Sequence, residues 1–367
     1  MFDTLNNEPL VLKHNRIKRA YTGGKLLDCW QGIKPEKDGN MSEEFLISTV
    51  EVTNVDKYDG EGLSMTDLDD GSQASLKAII DSNPGAFLGE KYFHKNGNQI
   101  GVLARVGDSN VRLVIQCHPD AKCAREYLNF PSGKSEVWYI VDTREIDGEK
   151  PHTYAGFKEG VTREQWKDLF EKQDIQGMLD AMHKIYINKG DVIYVKAGMP
   201  HAMGPGAVFL ELHEPSDYTL RLERDYLGIR TFNEQEIHYG MGYEKLFDCF
   251  DYTTYTDEEI KNTVIVNEKE INSADGSKEY ELLSHDYTGC FAMNKVDIQG
   301  EYTIDNNFEH SIAIVVKGNG YICGNGKKKE VNQGQGIFIP NGLEKVTFES
   351  LKDEKLEVIV GFPPKMD

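Results

Sequence analysis

Paired cysteines are missing from this chain. Its six cysteines (Cys29, Cys117, Cys123, Cys249, Cys290 and Cys323) include no C-x-x-C spacing, which speaks against a zinc ribbon or a dithiol redox motif and for a reduced, cytoplasmic setting. Long apolar runs are missing too. Nothing approaches the roughly 20 residues of a membrane-spanning helix, and the opening MFDTLNNEPLVLKHNRIKRAY has no apolar core of a secretory leader, so neither leader nor anchor is expected. Positive charge is scarce: 41 Lys and Arg against 61 Asp and Glu give a net charge of −20. That balance argues against a nucleic-acid binder, which grips phosphates with surplus cations. It leaves room for a small anionic substrate, because screening over about 8 Å lets a local cation cluster act independently of the global charge.

What is present is β-forming sequence, in 367 residues with 39% hydrophobic content and 35 glycines. Apolar or alternating runs bounded by Gly, Pro and Asn recur, among them EEFLISTVEV, IGVLARVG, VRLVIQCH, EVWYIVD, GDVIYVKAG, GAVFLELHE, HSIAIVVKG, GQGIFIPNG and KLEVIVGF. Many short strands between turns predict a mainly β sandwich or barrel. One segment departs from this: around 158–186, Thr162 with Gln165 three residues on forms a capping box, and Trp166, Leu169, Phe170, Ile175, Met178, Leu179 and Met182 mark apolar faces, predicting a small helical insertion. A second helix is expected near Leu76–Ile80, ended by the Asn-Pro-Gly turn, and a short helical connector within 225–275. KGDVIYVKAGMPH (189–201) superposes without a gap on QGQGIFIPNGLEK (333–345), and EVWYIVD resembles SIAIVVKG. Such an echo predicts two copies of one β-barrel unit, residues 1–270 and 271–367. His201 then faces Lys345 and Glu136 faces roughly Ser311, so the second copy lacks the polar groups of the first.

Those polar groups stand out from apolar strands. Gln116 and His118 are two apart and share a strand face, Glu136 opens the next strand with Lys134 two residues before it, and His201 ends a third. Imidazole nitrogens with a carboxylate and an amide suit Zn²⁺ or another first-row divalent ion. A strand histidine is also a common satisfied core or surface side chain, and residue types alone leave both open.

The ordered run Q-x-H-P-D, G-K-S-E-V-W-Y, A-G-M-P-H-A-M-G and L-E-L followed by S-D-Y-T-L-R resembles the cupin-type (class I) mannose-6-phosphate isomerases, also called phosphomannose isomerases. The likeness covers roughly residues 20–225 and, more loosely, the C-terminal copy. It implies two cupin-like (jelly-roll) β-barrels with a helical insertion, the first a catalytic metal-binding domain and the second lacking metal ligands. It implies one Zn²⁺ or other divalent ion per chain on Gln116, His118, Glu136 and His201. It implies an aldose–ketose isomerase acting on a sugar phosphate, with Lys134, Glu211 and Arg221 around the reacting carbons and Glu211 the candidate base. From the residues alone, Lys134 reads equally as a turn lysine, and Glu211 with Arg221 as a structural ion pair.

The chain departs from the family pattern at the phosphate. Val114 stands where the resemblance implies a Ser, and His213, Glu214 and Glu223 stand where less charged residues are usual. A carboxylate beside a phosphate repels it, so Arg224 or Arg230 is the expected compensating group. Two other readings stand beside this one: an isomerase of a different, unphosphorylated sugar, and, since cupins also serve without catalysis, a non-catalytic sugar-binding or regulatory module. A cupin oxygenase fits less well, since such sites gather histidines around open positions.

Overall fold

Strands apolar at every position need cover on both faces, and the computed structural model provides it by stacking four sheets. It describes all residues except 1, 3, 55, 307–309, 353 and 367. Two seven-stranded sheets lie at the centre. The first runs Ile265–Val266, Val192–Val195, Glu136–Thr143, Ala207–His213, Leu103–Ser109, Glu43–Ile47 and Arg16–Ile17. The second runs Leu10–Val11, Gly336–Ile339, Ser311–Lys317, Lys355–Phe362, Ala292–Gln299, Ser277–Leu283 and Lys269–Ala274. A smaller sheet flanks each: Met182–Tyr186, His152–Lys158, His201–Met203, Gln116–Cys117 and Leu220–Arg221 on the first, and Glu301–Asp305, Lys345–Ser350, Gly320–Gly324 and Lys327–Val331 on the second.

Pleat alternation sorts each central strand between two cores. In Glu136–Thr143, Val137, Tyr139 and Val141 join the core shared by the two large sheets, while Trp138 and Ile140 join the core of the N-terminal half. Ser311–Lys317 does the same, sending Ile312, Ile314 and Val316 to the shared core and Ala313 and Val315 to the C-terminal one. At Gly361 the large sheets approach so closely that a Cβ would lie 2.7 Å from Leu212 Cδ2. Leu10 pairs with Phe338, so residues near the N-terminus complete the C-terminal sheet across the 270/271 division. The chain is mainly β, as expected. Its halves are pairs of open sheets, however, and no sheet closes into a barrel among the described residues.

The helical insertion is two helices, Arg163–Lys172 and Ile175–Asp180, and the Thr162–Gln165 capping box is formed. Met182–Tyr186, read as the insertion's end, is instead a strand on His152–Lys158, and Met182 is buried there. The helix at Leu76–Ser82 is present and ends before Asn-Pro-Gly, as expected. Asn83 caps a further helix, Pro84–Leu88, with proline at its permissive first turn. The 225–275 connector holds three short helices, Glu234–His238, Tyr243–Asp248 and Asp257–Val264. Strand register reproduces the internal echo: Val195 pairs with Glu136 in one half and Ile339 with Ser311 in the other.

Candidate active site

The site forms where the large and small sheets of the N-terminal half face each other. Gln116 lies between His201 and Arg221 in the small sheet's register, and His118 follows just beyond that two-residue strand. Glu136, from the large sheet, lies opposite His213. Its Oε2 is 3.2 Å from His118 Nε2 and its Oε1 is 3.2 Å from His201 Nε2. The Gln116 amide nitrogen donates to His201 Nε2 at 3.0 Å. All four predicted ligands therefore come together, and the ligand atoms of His118, Glu136 and His201 lie within 4.8 Å of one another.

The donor set suits a cation. His118 Nδ1 donates to the Tyr218 carbonyl and His201 Nδ1 to the Met199 carbonyl, both at 2.9 Å, which leaves each Nε2 as a lone pair facing the carboxylate. Glu136 Oε1 is buried without a hydrogen-bond partner. Burial, and then the Lys134 charge, push His118 down to about 3; burial also lowers His201. Neutral imidazoles beside an ionised carboxylate are what a divalent metal requires.

Lys134 is fully buried. Its ammonium donates to Glu136, to Glu211 Oε1 at 2.9 Å and to His118 Nε2 at 3.1 Å, so it is not the surface turn lysine of the simpler reading. Burial raises Glu136, but the Lys134 charge and the contacts with His118 and His201 outweigh it and hold the carboxyl well below its ordinary range. Burial lifts Glu211 above its ordinary value against the pull of Arg105 and Lys134. Glu211 and Arg221 do not form the alternative ion pair. Glu211 binds Arg105 and Lys134, and Arg221 Nη1 donates to the Thr219 and Glu236 carbonyls.

A cavity of about 300 Å³ opens beside this cluster, lined in part by Gln116, Val114, Arg221, Arg230, Phe232 and Tyr239. Arg230 reaches it paired with Glu236 at 2.5 Å. Arg224 is not among its lining residues: it lies over the Phe170 and Tyr243 rings, 4.5 and 5.6 Å from their centroids, so a direct phosphate role for Arg224 is at odds with its position. Glu223 is no threat to an anion either, being held by Arg112 at 2.7 and 2.9 Å. Glu214 accepts from the Ser135 amide. The sequence reading missed Arg19, Glu43, Arg105 and Asp217, which also line the cavity. For Arg105 the signal is a charge inside an otherwise apolar strand, VLARVG; Arg19 and Asp217 lie outside the strands and carry no such signal.

Comparison with known proteins points one way. A family model described as "Mannose-6-phosphate isomerase, cupin domain" matches residues 283–361, in the C-terminal half. A Bacillus subtilis (strain 168) protein named probable mannose-6-phosphate isomerase is 28% identical over 254 residues, covering 69% of this chain and 73% of the relative. The crystal structure of the mannose 6-phosphate isomerase from Bacillus subtilis superposes with a TM-score of 0.73 at 21% identity, over 96% of this chain and 99% of the other. That of a variant phosphomannose isomerase from Salmonella typhimurium gives 0.72 at 16% identity, over 98% and 100%. In sequence over most of its length and in fold over nearly all of it, the chain is similar to the mannose-6-phosphate isomerases.

Proposed function

We propose that this protein is a metal-dependent aldose–ketose isomerase that interconverts mannose 6-phosphate and fructose 6-phosphate through an enediol. The observation that carries the proposal is the convergence of Gln116, His118, Glu136 and His201 with Lys134 and Glu211 beside a cavity of about 300 Å³ that Gln116 also lines. Within it, we read the two sheet pairs as two cupin-like units, divided near residue 270, with one metal site per chain in the first and a setting in the cytoplasm.

The reaction moves a proton between C1 and C2 while negative charge builds on a carbonyl oxygen. A divalent ion, which we assign as zinc, would polarise that oxygen as a Lewis acid when bound. The Lys134 ammonium is a preorganised donor for the same charge. Glu211, with its raised proton affinity, is the carboxylate assigned to carry the proton. Arg221 is placed to meet an anion: its hydrogen bonds go to main-chain carbonyls, and no carboxylate lies within 4 Å of it among the described ion pairs. Arg230 is the second candidate for the phosphate, replacing the donor that Val114 does not offer.

One observation favours the alternative of an unphosphorylated sugar: Glu43, Asp217 and Glu236 line the same cavity. Comparing kcat/KM for mannose and mannose 6-phosphate decides between them. We expect the phosphate ester to be preferred, Arg221→Ala to lower kcat by about tenfold or more, and Arg230→Ala to raise KM for the ester while sparing free mannose. A strong preference for the free sugar would remove the phosphate assignment, and binding without turnover would favour a sugar-binding module.

The C-terminal half offers a control. Lys345, the counterpart of His201, is exposed and paired with Asp305 at 3.0 Å, and surface pairs of this kind contribute little. Lys345→Ala is expected to leave both turnover and melting temperature nearly unchanged. Losses equal to those of Arg221→Ala would show that the two halves share the chemistry.

A further inference from the structure

Glu211 is gripped from two sides. Lys134 Nζ holds Oε1 at 2.9 Å, and Arg105 Nη2 holds Oε2 at 2.7 Å. Arg105 is itself fixed, because its Nη1 donates to Glu43 Oε1 at 3.0 Å. Glu43 also accepts from Arg19 Nη2 on Oε1 at 2.6 Å and from the Tyr21 hydroxyl on Oε2 at 2.9 Å. Arg19 then meets Asp217 at 3.4 Å, and Asp217 Oδ2 is tied to the amide and hydroxyl of Thr53, each at 2.9 Å. The chain of alternating charge Lys134, Glu211, Arg105, Glu43, Arg19, Asp217 thus runs from the metal cluster along the cavity wall, and every member is buried or nearly so.

The backbone makes the arrangement rigid. Arg105 and Glu211 are directly opposed on neighbouring strands, and Glu43 comes from the next strand over, two residues from Phe45, which pairs with Arg105. A guanidinium carries its donors in one plane, so seating Nη1 on Glu43 sets the direction in which Nη2 points. A lysine in the same place would supply the charge without that direction.

We propose that Arg105 is a positioning residue for Glu211, and that Glu43 aligns Arg105 for the task. Glu211 is thereby held with Oε2 engaged and Oε1 turned toward Lys134 and the reacting carbons. The kinetic consequences rest on the isomerase reading; the geometric ones do not.

The test uses the full chain loaded with zinc and two mild variants. Glu43→Gln keeps the shape and can still accept from Arg105, while Arg105→Lys keeps the charge and loses the planar fork. Each is expected to lower kcat on mannose 6-phosphate by about tenfold to a hundredfold, the effect of misdirecting a catalytic group by around 1 Å. KM should stay within roughly twofold, and crystal structures of both variants should show the Glu211 carboxylate rotated. A raised KM with kcat kept would overturn the proposal by making Arg105 a substrate contact. A lower melting temperature with kcat kept would overturn it by making the chain only structural. If the wild-type protein isomerises no aldose, the isomerase reading falls by itself. The crystal structures then decide the positioning role: a rotated Glu211 in Glu43→Gln supports it, and an unmoved one overturns it.

Discussion

Replacing His118 with alanine is expected to strip the protein of its divalent ion and of its activity together. Three of the four groups at the cluster are pure acceptors pointing at one another: two imidazole Nε2 atoms and a carboxylate, with Glu136 Oε1 left unpartnered. Removing His118 takes away one ligand, the imidazole anchored on Tyr218, and losing even an outer partner of a metal ligand costs about tenfold to a hundredfold in affinity. Metal analysis after dialysis should find one equivalent in the wild-type protein and less than about a tenth of that in His118→Ala. Turnover should fall by about a thousandfold or more, as expected when Lewis-acid polarisation and substrate orientation are lost together. Glu136→Ala should behave alike. Two tightly bound equivalents in the wild type, or full activity after exhaustive chelation, would overturn the assignment.

Much of this arrangement is legible in the sequence. The candidate ligands can be read because each stands in or at the end of an apolar strand with a group that burial alone would penalise. The internal echo could be read because strand, turn and glycine recur at one spacing, and the Val195–Glu136 and Ile339–Ser311 pairings follow it. Local signals failed where tertiary pairing overrode them. Met182–Tyr186 carries the apolar pattern of a helix end, yet it pairs with His152–Lys158, and helix Ala121–Leu128 sits unannounced between the strands that carry Gln116 and Glu136. The Arg105–Glu43–Arg19 wall was invisible for another reason. Its members come from segments far apart in sequence, and nothing local to RIKRAY or MSEEFL says that their charges meet. Arg224 goes the other way: the carboxylates near it in sequence make it a candidate to compensate at the phosphate, while the backbone turns it onto Phe170.

Lys134→Met is expected to damage both chemistry and stability, and the two effects separate by metal and by pH. The Lys134 ammonium lies between the carboxylates of Glu136 and Glu211, where no water reaches. Methionine fills the same volume and leaves two buried carboxylates without the cation between them, a loss of about 3–5 kcal/mol for the metal-free protein. Zinc at the neighbouring ligands would restore part of that charge balance, so the deficit should shrink in the loaded protein, while kcat stays down by about a hundredfold or more for want of the donor. The pH dependence has a definite sign. In the wild type, Lys134 is the leading influence holding Glu136 below its ordinary value of 4.5 against burial, so that carboxylate adds stability above pH 4.5 and loses it as the pH falls through the depressed value. Without Lys134, burial dominates and raises the carboxyls, and the variant loses stability as the pH rises from about 4.5 toward neutrality. Urea unfolding of the metal-free proteins should therefore show a large gap at pH 7 that narrows near pH 5. Equal stabilities at pH 7, or a variant that keeps its turnover, would mean that Lys134 neither balances these carboxylates nor serves the reaction.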